Sequence, residues 1–173
     1  MAVEFIQNCK TRKITKTLKR TDVAVDEKLS KKLGKPQGKY ITVETDAVKK
    51  NDRFEYGRVA KEFGLAIKEL VKGDNCLIAG LGNPNMTADA LGKKVADRLM
   101  ITRHLEKDEK LPSISCVIPN VLGVTGIESF DIVKGVADRT HPDTIIVIDS
   151  LAGAQTARLA AAFQVSSAGI TPG

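Results

Sequence analysis

The sequence predicts an α/β fold, a three-layer domain with a mainly parallel sheet. From Cys76 onwards, short apolar runs alternate with segments of helical spacing, joined by short connections. The run TIIVIDS is almost continuously apolar, which is typical of a strand covered on both faces. With 173 residues, of which 42% are hydrophobic, the chain is long enough to bury a sizeable core.

Each element follows from a local pattern. YITVET, residues 40–45, alternates and is rich in β-branched side chains, which predicts a strand. Apolar side chains then recur at near-helical spacing over residues 52–71, and Asp52 can cap this helix. The remaining elements, in chain order, are a strand at CLIAG, a helix over 87–100, a strand at SISCVI, a helix over 126–139, a strand at TIIVIDS, a helix at AGAQTARLAAAF and a strand at QVSS.

Residues 1–39 form a basic N-terminal extension or propeptide-like segment in this interpretation, and residues 40–173 form the α/β domain. Residues 1–40 hold 11 Lys and Arg against 4 Asp and Glu, whereas residues 41–173 hold 16 against 17. The basic charge therefore belongs to the extension and not to the domain. There is no Trp and only two Tyr, so an aromatic stacking platform is missing as well. We expect no direct nucleic-acid partner.

No apolar run approaches the roughly 18 residues that a membrane helix needs, and the first residues lack the apolar block of a secretory signal. We therefore expect a cytoplasmic protein without a membrane partner. The three cysteines are widely spaced and form no CxxC pair, which argues against a structural zinc site and a disulfide framework. We expect neither a metal nor another cofactor.

The stretch GLGNPNMTADALG, residues 80–92, begins like a dinucleotide-binding fingerprint. Gly80 and Gly82 match its first two positions, but Asn85 stands where the third glycine belongs. The glycines are more easily explained by a tight turn off the preceding strand. Asn83 and Asn85 can either hold that loop through local side-chain bonds or donate to a substrate. The sequence leaves both roles open.

Histidine and serine chemistry is poorly supported. His104 and His141 both lie near predicted helix ends, where a histidine usually meets the helix dipole or solvent. Ser150 follows a predicted strand, but the G-x-S-x-G motif around a nucleophile is missing. Carboxylates are left as the groups that can carry a reaction.

Asp89 and Asp149 are the two carboxylates in the right places. Asp149 ends the TIIVID strand, and Asp89 lies in the first turn of the helix after CLIAG, with Thr87 as a candidate N-cap. Parallel sheets place their chemistry beyond the carboxyl ends of their strands. If the two strands are neighbours, the two carboxyls can supply a general acid and a general base. Alternatively, Asp89 complements the helix dipole and Asp149 caps the next turn.

Glu128 has two interpretations. Thr125 and Glu128 match a [ST]-x-x-E capping box, which predicts a helix start. Glu128 can instead join Asp89 and Asp149 in an oxygen-rich metal site, provided that the three carboxylates converge.

Four blocks of the sequence occur together in a recognisable order: GLGNPNMTADALGKKVADRLMITRHL (80–105), IPNVLGVTGIESFDIVKGV (118–136), PDTIIVIDSLA (142–152) and SSAGITPG (166–173). They resemble the spore germination protease family, whose members degrade the small acid-soluble proteins that coat spore DNA. The resemblance implies an endopeptidase with a fold similar to hydrogenase maturation proteases, made as a zymogen, assembled as a homotetramer and located in the forespore or spore core. The family's proposed catalytic aspartates fall on Asp89 and Asp149.

TDVAVD, residues 21–26, is similar to the sequence around which the family removes its own propeptide. The resemblance implies a cut near Asp22–Val23, so that residues 1–20 would be most of the propeptide. The family's pattern also continues beyond Gly173, which implies that the peptidase domain over 40–173 is incomplete at its C-terminus.

Two alternatives remain open at this point. LIAGLGNPN and TRHL also look like opening motifs of peptidyl-tRNA hydrolases, although Asn85 replaces a glycine and a whole helix separates the two motifs. A non-catalytic, truncated relative that acts in assembly is the other alternative.

Overall fold

The computed structural model describes residues 9–105, 111–150 and 161–170. The chain divides into two compact units, one made of Met1–Val71 with Ala152–Gly173 and the other of Lys72–Leu151. We call them the antiparallel unit and the parallel unit, after the sheet that each contains. No helix in the described ranges is long and apolar enough to cross a membrane.

The antiparallel unit contains a four-stranded sheet with the order β1-β2-β3-β7, all neighbours antiparallel. Its elements are β1 (Cys9–Lys13), β2 (Leu18–Val25), α1 (Glu27–Leu33), β3 (Gly38–Thr45), α2 (Arg53–Lys68) and β7 (Ala162–Ser166).

The core of this unit lies between the sheet and α2. From Ile41 onwards every second residue of β3 is buried, as the alternating YITVET pattern predicts, and Val43 packs in one cluster with Leu18 and Val59. The rings of Phe63 and Phe163, 5.7 Å apart, extend the cluster. The predicted cap of α2 is confirmed, because the Asp52 carboxylate accepts hydrogen bonds from two amides of the first turn.

The N-terminal segment contains regular structure that the sequence did not predict. β2 pairs with β3 without interruption from Leu18, opposite Thr45, to Val25, opposite Gly38. Its pattern was hard to recognise because the face that α2 covers carries Arg20, a charged residue in a buried position. The boundary at residues 39 and 40 between an extension and a domain stays a prediction.

The parallel unit confirms the α/β class. β4 is the middle strand of a three-stranded parallel sheet with the order β5-β4-β6, and five of its six residues are buried. Its elements are β4 (Asn75–Gly80), a 3-10 turn (Thr87–Asp89), α3 (Leu91–Ala96), β5 (Ser113–Val117), α4 (Leu122–Thr125), α5 (Ser129–Thr140) and β6 (Thr144–Ile148).

The helix predicted over residues 87–100 is shorter than expected, because only the 3-10 turn and α3 form within it. Thr87 is not an N-cap, and neither element starts with a side-chain cap bond. Gly92 in the first turn of α3 adds a further cost, since glycine loses the most backbone freedom in a helix.

The helix predicted over residues 126–139 begins at Ser129, so the predicted capping box is wrong. Gly126, with a φ of 70°, ends α4 instead. The Thr125 hydroxyl bonds within its own loop to Val121 and Ile127, and the Glu128 side chain makes no cap bond.

Two further expectations need correction. Ile145 in β6 is 41% exposed, so the expected cover on both faces of this strand does not extend to that residue. Most of the helix predicted at AGAQTARLAAAF lies in 151–160, outside the described residues, but its last two residues, Ala162 and Phe163, begin β7. Of the strand predicted at QVSS, residues 164–166 are confirmed as part of β7, which ends one residue before Ser167.

Candidate active site

The carboxyl ends of β4 and β6 lie side by side. The two strands are parallel neighbours, with Gly80 opposite Ile148, and the Leu81 amide donates a 2.8 Å hydrogen bond to the Ile148 carbonyl. Asp149 follows β6 directly, and the loop after β4 leads to Asp89. The condition that the sequence set for a shared cleft, adjacent strands, is therefore met.

The loop after β4 folds back so that the Asp89 carboxylate lies against its own beginning. The Asn83 amide donates a 2.6 Å hydrogen bond to Asp89 Oδ2. Gly82 has a φ of 97°, and a Cβ at this position would lie 2.1 Å from the Asp89 carbonyl oxygen and 2.7 Å from Oδ1. Only glycine fits here, because the conformation is left-handed and the space is already occupied by Asp89.

The local hydrogen bonds of Asp89 and Asn83 bear on the roles that the sequence left open. One oxygen of the Asp89 carboxylate accepts the hydrogen bond from the Asn83 amide, and the side chain makes no cap bond to α3. The Asn83 side chain accepts a 2.9 Å hydrogen bond from the Asn85 amide, so Asn83 holds the loop locally. The Asn85 side chain is exposed beside it.

Ser150 joins the ends of the two strands. Its amide donates a 2.8 Å hydrogen bond to Asp149 Oδ1, and its hydroxyl donates a 2.9 Å hydrogen bond to the carbonyl of Ala88, the residue before Asp89. Ser150 therefore contacts both the Asp149 carboxylate and the turn that carries Asp89. The turn that the sequence predicted Asp149 to cap follows residue 150 and lies outside the described residues.

The electrostatics agree with two carboxyls that share a site. Burial raises the pKa of Asp149 above its ordinary value, the hydrogen bond from Ser150 lowers it, and the negative charge of Asp89 raises it again. Because the sum is a raised pKa, Asp149 keeps its proton to a higher pH than an exposed aspartate does. It is the carboxyl of the pair that is better suited to donate a proton.

Close backbone packing supports the same loop. A Cβ at Gly80 would lie 2.6 Å from the Gly92 carbonyl oxygen, and a Cβ at Gly92 would lie 2.4 Å from the Leu81 carbonyl oxygen. The start of α3 can therefore rest directly on the end of β4. The sequence indicated the turn at Gly80 and Gly82 but gave no signal for Gly92 or for Ser150 as supporting residues.

The other predicted site residues are placed differently. Thr87 and Glu128 are exposed, and no group of three or more His, Cys, Asp or Glu side chains in the described ranges is arranged to hold a metal ion. The three-carboxylate site that includes Glu128 is thus not formed. Two open cavities of about 600 and 540 Å³ run along α5, and neither is lined by Asp89 or Asp149.

The predicted cleavage residues lie in the antiparallel unit. Asp22 and Val23 are in the middle of β2 and are paired on both sides, with Lys10 and Cys9 of β1 and with residues of β3. The Asp22 carboxylate also bonds to Arg20.

The two motifs of the peptidyl-tRNA hydrolase alternative do not meet. The glycine loop leaves the carboxyl end of β4, whereas the Arg103 guanidinium bonds to Asn75 at the opposite end of the same strand. The amides of Thr102 and Arg103 both bond to Ile114, near the start of β5. A strand of this length separates the glycine loop from the Asn75 end, where Arg103 bonds, by about 16 Å.

Comparison with known proteins identifies one family. The family model for germination proteases matches residues 4–173. A germination protease of Caldanaerobacter subterraneus subsp. tengcongensis is 42% identical over 158 residues, which cover 86% of this chain and 49% of that protein. Germination proteases of Geobacillus sp. (39% over 168 residues) and Bacillus cereus (38% over 165 residues) are each matched over 45% of their length and over 90% and 88% of this chain.

The chain thus spans about half the length of the curated relatives that it matches. The family match nevertheless runs through both units and includes the loops of Asp89 and Asp149. The chain belongs to the germination protease family.

Proposed function

We propose that this chain is the peptidase portion of an endopeptidase that degrades the small acid-soluble proteins of spores during germination. The observation that carries the proposal is the pair of carboxyls at adjacent strand ends, joined by the Ser150 hydrogen bond to Ala88. Membership of the germination protease family supports the substrate class.

In the proposed reaction the two carboxyls have different tasks. The Asp89 carboxylate, oriented by the Asn83 amide, takes a proton from a water molecule while the water oxygen attacks the peptide carbonyl carbon. Asp149, which keeps its proton to higher pH, donates that proton to the carbonyl oxygen. The proton held on Asp89 then passes to the leaving nitrogen as the C–N bond breaks, and Asp149 takes its proton back from a hydroxyl of the tetrahedral intermediate as the C=O bond re-forms. One water molecule is consumed, and a carboxyl and an amine are released.

We further propose that the protein is made as a zymogen that cuts itself near Asp22–Val23, works as a homotetramer and acts in the forespore or spore core. The similarity of TDVAVD to the family's processing sequence supports the cut. N-terminal sequencing of the full-length protein after incubation tests the cut, and light scattering tests the assembly.

Replacing either aspartate by asparagine tests the catalytic pair. In the full-length protein, we expect Asp89→Asn and Asp149→Asn each to reduce cleavage of a small acid-soluble spore protein by about 100-fold or more, the usual contribution of a general acid or base. Asp131→Asn, an exposed aspartate in the first turn of α5, is the matched control and should leave the rate unchanged. Full activity of Asp149→Asn in a folded protein would refute the pair.

A chelator separates this mechanism from a metal-dependent one. Because the proposed steps use only the two carboxyls, cleavage should persist when EDTA is present at millimolar concentration. Loss of cleavage with EDTA and its recovery with an added divalent cation would refute the metal-free mechanism.

A further inference from the structure

The bond that self-processing has to cut is inaccessible while β2 stays in its sheet. Asp22 pairs with Lys10 on one side and Ile41 on the other, and Val23 is paired on both sides as well. Proteins that bind an extended peptide commonly do so through its main-chain hydrogen bonds, which inside a sheet are already used. Cleavage at this bond therefore requires β2 to leave at least part of the sheet.

Arg20 opposes that release. Only 2% of this residue is exposed, and its Nη2 donates a 2.7 Å hydrogen bond to Asp22 Oδ1 and a 2.6 Å hydrogen bond to Glu69 Oε1. Asp22 belongs to the same strand, whereas Glu69 is the C-cap of α2. Lys39 of β3 holds the other oxygen of Glu69 at 2.8 Å. The Arg20 guanidinium thus links β2, which contains the proposed cleavage site, to α2.

Pulling β2 away breaks the Arg20–Glu69 bond, which joins β2 to α2, and exposes apolar surface at the same time, whereas the Arg20–Asp22 bond leaves with the strand. The hydrogen bond to Asp22 and then that to Glu69 raise the pKa of Arg20, and Lys39 and then Arg20 lower the pKa of Glu69, so the cluster favours its charged form. Arg20 is the buried member of this cluster, since the side chains of Asp22 and Glu69 are 18% and 39% exposed. Leu18, two residues before Arg20 and on the same face of β2, is 1% exposed and leaves the core with it.

We propose that Arg20, Asp22 and Glu69 form a latch that holds β2 in the sheet and thereby sets the rate of self-processing. The inference rests on the proposed self-cleavage at Asp22–Val23. Hydrolysis of that bond adds one water, leaving a carboxyl on Asp22 and an amine on Val23. The cut separates Arg20 and Asp22 from the rest of the chain and leaves Glu69 with Lys39.

The latch is tested by two measurements on the full-length protein. Hydrogen exchange of the amides in β2 is followed by mass spectrometry in an Asp149→Asn background, where the proposed cleavage does not interfere. Self-processing at Asp22–Val23 is followed separately with Asp149 intact. The test variant is Arg20→Met. The control is Lys19→Met, which removes one positive charge from the same strand but only an ion pair with Glu44, in which the Lys19 side chain is 45% exposed.

We expect Arg20→Met to increase both the exchange of the β2 amides and the rate of self-processing by about tenfold or more, because charge-assisted bonds are lost. Lys19→Met should change neither by more than about twofold, as an exposed ion pair contributes little. If Arg20→Met does not fold, Glu69→Gln, which keeps Arg20 and alters an exposed helix end, should raise both rates in the same direction.

The outcomes separate the two proposals. Equal exchange in Arg20→Met and the parent protein overturns the latch, and so does faster exchange with unchanged self-processing. If no variant cuts itself, the proposed self-processing fails, and with it the role of the latch as a gate. The exchange data then still measure whether Arg20 holds the strand.

Discussion

At the scale of single residues, the site depends on how closely Gly82 and Asp89 approach each other. A Cβ at position 82 would overlap with the Asp89 carbonyl oxygen, at 2.1 Å, and with its carboxylate oxygen Oδ1, at 2.7 Å. A glycine at this point therefore does more than permit a turn, since it leaves room for Asp89, one of the two proposed catalytic residues. The same carboxylate is held from the other side by the Asn83 amide.

Gly82→Ala should therefore reduce activity more than stability. We expect the backbone strain to cost about 1–3 kcal/mol of unfolding free energy, and the displaced carboxylate to reduce cleavage about 100-fold. Gly57→Ala, in α2 with open space around the new Cβ, is the control and should keep full activity. Kinetics and chemical denaturation measure the two effects, and an unchanged rate in Gly82→Ala would contradict the prediction.

The pKa of Asp149 should respond to its neighbour. Since the charge of Asp89 is one cause of the raised pKa, Asp89→Asn should lower the pKa of Asp149. The pKa should stay above the ordinary value, because burial is the larger cause and remains. Carbon NMR of the labelled carboxyl measures the shift. No change on Asp89→Asn would mean that the two carboxyls do not interact.

At the scale of elements, the strand ends and caps decide where the functional loops begin. β4 and β6 end at the same level, and the Asp52 cap fixes the start of α2, which covers β3. The cap that the sequence predicted at Thr87 does not form, because Thr87 lies inside the 3-10 turn and Met86 holds the N-cap position. The cap predicted at Thr125 does not form either, because the side chain of Thr125 bonds within its own loop. Local competition of this kind is typical of Thr and Ser side chains near helix ends.

The cap of α2 gives a direct test. Asp52→Ala removes the acceptor for two amides of the first turn and should lower the free energy of unfolding by about 1 kcal/mol. Asp52→Asn retains an acceptor and should cost only a few tenths of that amount, roughly. Denaturation followed by circular dichroism measures both. Equal stability of Asp52→Ala and the parent protein would show that the cap contributes nothing.

At the scale of the whole molecule, the raised pKa of Asp149 makes stability depend on pH. The folded protein binds the Asp149 proton more tightly than the unfolded chain does. The stability contributed by this group is therefore complete below the ordinary pKa of an aspartate and is lost as pH rises through the raised pKa.

Asp149→Asn removes this dependence, because asparagine does not titrate. We expect the variant to gain stability relative to the parent protein as pH rises from below the ordinary aspartate pKa of about 3.9 towards neutrality. Denaturation of both proteins across that range measures the difference. A difference that stays constant with pH, or one that shrinks as pH rises, would contradict a raised pKa.

The sequence by itself predicted the α/β class and most strands, and it singled out Asp89 and Asp149 as the candidate carboxylates. Alternation and apolar runs reveal strands, and a charged residue directly after a buried strand marks its carboxyl end. The cap at Asp52 could also be predicted, since an N-cap depends only on the residues at the start of its own helix.

Only the tertiary structure decided what the distant contacts do. Ser150 bonding to Ala88, Gly92 resting on Leu81 and Arg20 reaching Glu69 all join residues far apart in the chain, and none leaves a periodic signal. For the same reason β2 was not predicted, because its register is set by pairing with β3 and its buried charge by partners elsewhere. Local patterns determine the helices and strands. Packing between them determines the candidate site and the position of β2, the strand that must leave the sheet for the proposed self-cleavage.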